Sequence, residues 1–227
     1  MKKYIPFILL VVGVLVVIVA IFVVKKNISK GTVDEDEETA VEVPFSQRPF
    51  ASLSPSSDGH WLTLKVENII IEKASSMDYE LLYSLPDGRT QGVPGTVSLD
   101  DESKIERELL LGSESSGKFR YDEGVEEGAL TLRFRNTTGK LLTKFITKWY
   151  LQSGKTVLSV QDGDFSFDLA KISKDFFVVM QTFGMPAGSS VESVSAGPYG
   201  VFTSASVLPS GSAPEGWQKV GTNVFYK

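Results

Sequence analysis

Residues 4–24, YIPFILLVVGVLVVIVAIFVV, run for twenty-one positions without a charge. The stretch begins at Tyr4 and ends at Val24, with Lys2 and Lys3 before it and Lys25 and Lys26 after it. As an α-helix rising about 1.5 Å per residue it reaches roughly 31 Å, which matches a hydrocarbon core of about 30 Å. Seventeen of the positions are Ile, Leu, Val or Phe. At roughly 0.3–0.6 kcal/mol each, insertion is favoured by about 5–10 kcal/mol. The expectation is one membrane-spanning helix at 4–24, a short tail at 1–3, and a passenger domain behind the anchor.

A cleaved secretory signal also starts with lysines and an apolar run, but its apolar region is shorter and ends in a pair of small residues. Here KKNISKGTV follows the run, and Ala20 stands alone inside it. The helix is therefore read as retained. Lipid attachment at the membrane boundary needs a cysteine, and the chain has none. The flanking lysines are close to balanced across the span, so they set no orientation. The character of the remainder favours a cytoplasmic amino terminus and a C-terminal domain outside the cytoplasmic membrane.

All 28 acidic residues lie after the anchor, while five of the 23 basic ones (Lys2, Lys3, Lys25, Lys26, Lys30) flank it. The passenger thus holds 18 basic against 28 acidic residues, a net charge of −10. That balance argues against nucleic acid as a partner, since duplex binding needs clustered Lys and Arg to displace counterions. The lack of cysteine removes disulfides, thiolate zinc sites and cysteine nucleophiles together. The domain must stand on its core alone.

Residues 25–58 read as a juxtamembrane and acidic linker: Asp34, Glu35, Asp36, Glu37 and Glu38 form a block, and Pro44, Pro49 and Pro55 follow. Phe45 and Phe50 are its two aromatic exceptions, able to dock on the domain. From 59 onward the period becomes two. In WLTLKVE, Leu62, Leu64 and Val66 alternate with Thr63, Lys65 and Glu67. ALTLRFR directs Leu130, Leu132 and Phe134 one way, turns through Asn136 to Lys140, and returns as LLTKFITKWYL with Phe145, Trp149 and Leu151 on one side. LDDESKIERELLL admits a helix capped by Ser98 or Asp100, or a strand with Arg107 misplaced on its inner face; the strand is preferred. Ten to twelve strands with regular turns predict an all-β fold. The expected form is an antiparallel β-sandwich over 59–183, with 184–227 as a C-terminal β extension.

The short alternating strands, the tyrosine-bearing YELLY run and a tryptophan on another strand are similar to immunoglobulin-like and fibronectin type III sandwiches. The resemblance is one of architecture, because the Cys–Trp–Cys spacing of true immunoglobulin domains is absent. It implies no particular activity.

Motifs that carry catalysis fail on inspection. Gly112 to Phe119, GSESSGKF, stops one residue short of a P-loop: Phe119 stands where the Mg²⁺-binding hydroxyl belongs, and Glu114 sits in the phosphate cradle. Ser153-Gly154-Lys155-Thr156 has the right end but Trp149 at the first glycine. Both are read as turns between strands. Ser115-Ser116-Gly117-Lys118 matches the S-x-x-K of penicillin-recognising enzymes without its companion elements. His60, the one histidine, lies at the linker boundary, a poor place for a triad base.

Carboxylates supply the remaining candidates, as hard oxygen ligands for Ca²⁺. Asp162, Asp164 and Asp168 are spaced as positions 1, 3 and 7 of a calcium loop, without its glycine at 6 or glutamate at 12. Asp122 and Glu123 crowd YDEGVEEG with Glu126 and Glu127. Solvated turns are the simpler reading of both, and no cofactor is expected. The functional expectation is a binding or envelope-assembly module, with an envelope protein or a glycan as partner. The alternative is an anchored hydrolase of cell-surface polysaccharide working through two carboxylates.

Overall fold

The computed structural model describes residues 41–227, apart from Asp101, Asp162 and Asp164. The helix expected at 4–24, the tail before it and the linker up to residue 40 lie outside the described residues. Among the described residues no helix is long and apolar enough to cross a membrane. Apart from a single turn of 3-10 helix at Phe45–Gln47, regular structure there is all strand.

Sixteen strands follow one another: β1 (Phe50–Pro55), β2 (Trp61–Glu67), β3 (Ser76–Ser84), β4 (Thr90–Ser98), β5 (Lys104–Leu110), β6 (Gly112–Ser115), β7 (Lys118–Tyr121) and β8 (Glu127–Arg135) in the first half. The second half holds β9 (Leu141–Ser153), β10 (Val157–Ser159), β11 (Ser166–Leu169), β12 (Phe176–Gln181), β13 (Tyr199–Thr203), β14 (Gly211–Ser212), β15 (Gln218–Val220) and β16 (Val224–Tyr226). All pairings are antiparallel. A large sheet of eight strands runs in the order β15-β16-β13-β12-β9-β8-β3-β4. Two three-stranded sheets, β1-β2-β5 and β10-β11-β14, and the hairpin β6-β7 complete the fold.

The alternation read in the sequence packs the main core. Leu62, Leu64 and Val66 of β2, Leu130, Leu132 and Phe134 of β8, and Trp149 of β9 are fully buried in one cluster, which the β1-β2-β5 sheet and one face of the large sheet share. The β8–β9 register sets Leu132 opposite Phe145, with an irregularity at Phe134/Arg135 leading into the turn. A second, smaller core lies on the opposite face of the large sheet, where Leu158, Phe165 and Phe167 of the β10–β11 region meet Phe177, Val179, Val201 and Phe225. Strand β12 is therefore buried on both faces, Val178 and Met180 into the first core and Phe177 and Val179 into the second. A strand covered on both sides reads as a continuous apolar run, and FFVVM is such a run.

Two expectations change. The linker read as 25–58 contains a core strand: β1 buries Phe50, Ala51 and Leu53, and pairs with β2 along its whole length. Its serines and terminal proline look like linker composition, yet Ser52 is itself buried and Pro55 closes the strand at its last position. The Ala51 N–H donates to the Thr182 carbonyl (3.1 Å) and the Gly184 N–H to that of Pro49 (3.0 Å), tying the small sheet to the chain just after β12. The strands also number sixteen among the described residues, more than the ten to twelve read from the pattern, because two- to four-residue strands carry too little alternation to stand out. Residues 184–227 supply β13, β15 and β16 to the large sheet itself.

Candidate binding surface on the β6–β7 hairpin

The acidic candidates come first. Asp162 and Asp164 lie outside the described residues; Asp168 stands exposed on β11, opposite Val157 and Ser212. Glu123 is exposed in the loop after β7. Its neighbour Asp122 accepts a hydrogen bond from the Tyr83 hydroxyl at 2.9 Å. Tyr83 is almost wholly buried, and burial first, then the bond to and charge of Asp122, push its phenol well above the usual value. Asp122 thus caps a core tyrosine. Among the described residues, no three His, Cys, Asp or Glu side chains come together in a way that could hold a metal ion.

The failed P-loop is a β-hairpin. Ser116 (φ 52°) and Gly117 (φ 74°) are both left-handed, the conformation of a two-residue turn whose twist matches that of its strands. Glycine and a small polar residue are what such a turn accepts, which is why GSESSGK resembles a phosphate loop without being one. Ser153-Gly154-Lys155-Thr156 likewise joins β9 to β10. The hairpin prolongs β5: the Leu111 N–H donates to the His60 carbonyl (2.9 Å) and the Asp122 N–H to that of Leu111 (3.0 Å). Gly112 has φ +153°, and a Cβ there would collide with the Arg120 carbonyl across the pair. Glycine permits the close approach that sets Tyr121 opposite.

Alternation along β7 puts Phe119 and Tyr121 on one side and Lys118 and Arg120 on the other. Phe119 is 47% and Tyr121 38% exposed. Their rings lie nearly parallel, 10° apart with centroids at 6.3 Å. His60 stacks on Tyr121 at 4.3 Å, and Trp61 meets Phe119 edge-on at 5.5 Å.

The turn before β2 holds those two partners in place. The Ser56 hydroxyl donates to Asp58 (2.6 Å), the His60 N–H donates to the same carboxylate oxygen (3.2 Å), and the Trp61 N–H donates to the Ser56 oxygen (3.0 Å). The Ser56 hydroxyl and then the His60 N–H hold the Asp58 carboxyl below its ordinary value. Four aromatic side chains from two elements so form one patch on an otherwise polar hairpin.

Covering the exposed parts of both rings removes on the order of 150 Å² from water. At about 25 cal/mol/Å² that contributes about 4 kcal/mol to a contact. Exposed aromatics clustered in this way mark interaction sites more than scattered ones do. The sequence reading weighed His60 as a base and Phe119 as a broken motif, and passed over the patch. The signal was present: a turn-forming Ser-Gly followed by Lys-Phe-Arg-Tyr, a period of two with aromatics on one face. Compared with protein-family models, curated proteins and solved structures, the chain matches none.

Proposed function

We propose that this chain is a single-pass membrane protein, anchored through 4–24, whose β-sandwich domain stands outside the cytoplasmic membrane and acts by binding or envelope assembly. The observation that carries the reading is the aromatic patch of His60, Trp61, Phe119 and Tyr121 on the projecting hairpin. The apolar stretch at 4–24 supports the anchor, and the acidic balance of the passenger supports a protein or glycan partner over nucleic acid. The core shared by the β1-β2-β5 sheet and the large sheet supports the sandwich form, similar in plan to immunoglobulin-like folds. Loops and hairpins at the end of such a scaffold are where contacts are made.

The test replaces Phe119 and Tyr121 by serine in the full-length chain and compares detergent-solubilised complexes on native gels. Loss of a larger complex with an unchanged melting temperature is the expected result. An unchanged complex contradicts the hairpin contact. Turnover of a cell-surface polysaccharide that disappears on replacing Asp122 or Glu123 favours the hydrolase instead.

A further inference from the structure

Asn136-Thr137-Thr138 has no part in the hairpin contact. It is an Asn-x-Thr sequon, the acceptor pattern for an asparagine-linked glycan, and it opens the turn between β8 and β9. We propose that the Asn136 side-chain amide is a glycosylation site, taking an oligosaccharide from a lipid pyrophosphate carrier. The inference rests on the outward placement of the domain proposed above, since the transfer takes place on exported chains. It does not pass through the aromatic patch.

The turn withholds the amide oxygen and presents the nitrogen. Asn136 Oδ1 accepts from the Thr138 N–H (3.0 Å), the Thr138 hydroxyl (2.7 Å) and the Lys140 N–H (3.0 Å). Bonds from an asparagine side chain to the backbone just after it are what suit this residue to starting turns, and here they fix the amide plane. Nδ2 makes no hydrogen bond among the described residues and is not buried, so the atom that would carry the sugar is left to solvent. The Thr138 hydroxyl, the second half of the sequon, lies against the same amide. Behind it the backbone is closed: the Gly139 N–H donates to the Asn136 carbonyl (2.9 Å) and the Asn136 N–H to that of Lys140 (3.0 Å).

The surroundings leave room. Thr137, Thr138, Gly139 and Lys140 are all exposed, and a Cβ built on Gly139 would meet nothing within 4 Å. Bulk added there meets solvent. β8 leaves the β6–β7 hairpin at Glu127 and reaches the turn at Arg135, nine residues later, which is roughly 30 Å at the rise of a strand. The attachment point thus stands well apart from Phe119 and Tyr121.

The step needs no redox partner. Nδ2 attacks the anomeric carbon of the carried sugar, and the new C–N bond replaces the bond from that carbon to the pyrophosphate oxygen. The pyrophosphate leaves with the electron pair, and Nδ2 gives up one proton. The cell supplies the transferase and the carrier; the chain supplies the acceptor.

The test takes full-length protein from the membranes of cells that make asparagine-linked glycans and measures the mass of the peptide spanning Asn136. A second sequon, Asn27-Ile28-Ser29, lies outside the described residues, so the reading is taken on the peptide and not on the mobility of the whole chain. Carbohydrate mass on that peptide, released by an amidase specific for asparagine-linked glycans, is the expected result. Thr138→Ser keeps the hydroxyl and should keep the mass; Thr138→Ala and Asn136→Gln should lose it. Thermal unfolding of each variant checks that the turn still folds. Labelling of Ser115→Cys by an impermeant maleimide is read in parallel. A bare Asn136 in a chain that labels from outside overturns the glycosylation site and leaves the outward placement standing. A bare Asn136 in a chain that labels only after permeabilisation overturns both, and mass that persists in Thr138→Ala overturns the sequon's role.

Discussion

Tyr83 and Asp122 show how far a single residue's role depends on its partner. Thirty-nine positions separate them, and the bond between them puts a phenol in the core with its hydroxyl at the surface carboxylate. Tyr83→Phe is expected to cost about 1 kcal/mol near neutral pH, the net worth of a hydrogen bond. The pH dependence has a definite sign. The folded phenol titrates above its unfolded value of 10.0, so its contribution is complete below pH 10 and is lost as pH rises beyond that. Denaturation midpoints followed from neutral to strongly alkaline pH should therefore fall less steeply in the phenylalanine variant. An equal fall in both would contradict the assignment. In the sequence Asp122 is a carboxylate in an acidic loop, fit to be read as a cation ligand, because nothing local reveals a tyrosine from another strand. Phe119 and Tyr121 were hidden differently, by a glycine-rich turn whose composition suits both a hairpin and a phosphate loop.

At the scale of elements, the strands with long alternation were legible and the rest were not. β2, β8 and β9 bury the residues their period of two selects, since one face of each meets the core and the other meets polar surroundings. β12 gave no alternation because two cores enclose it. β1 was lost in a serine- and proline-rich stretch whose burial depends on pairing with β2 and on hydrogen bonds to residues after β12.

Arg107, out of place in the reading of β5, is placed by the sheet's edge. It pairs opposite the buried Leu64, yet it stays exposed and donates from its guanidinium to the Glu106 carbonyl at 2.7 Å. A charge set on the core side of an outer strand discourages a second chain from pairing there. Pro94 does comparable work within β4, the outer strand at one end of the large sheet. Arg107→Val should keep the fold and raise self-association, seen as a concentration-dependent rise in mean mass by light scattering. A variant that stays as monodisperse as the parent would remove that role from Arg107.

For the whole molecule, the C-terminal stretch is integral. β13 lies between β12 and β16, and Val201, Phe202, Val224 and Phe225 are buried across both cores. A chain ending at Phe183 should lose cooperative thermal unfolding, whereas a separable appendage would leave it unchanged. The loop from Gly184 to Pro198 is rich in Gly, Ser and Pro, but such composition marks only that a segment is irregular. Where its two ends return is decided by pairing across the sheet.

The lack of cysteine allows one residue to report on the placement of the entire domain. Ser115→Cys, exposed at the tip of the β6–β7 hairpin, would be the sole thiol in the chain. Labelling with a membrane-impermeant maleimide in intact cells, with permeabilised cells as reference, asks directly whether the domain faces outward. Equal labelling before and after permeabilisation is the predicted result; labelling only after permeabilisation would place the domain in the cytoplasm and contradict the account.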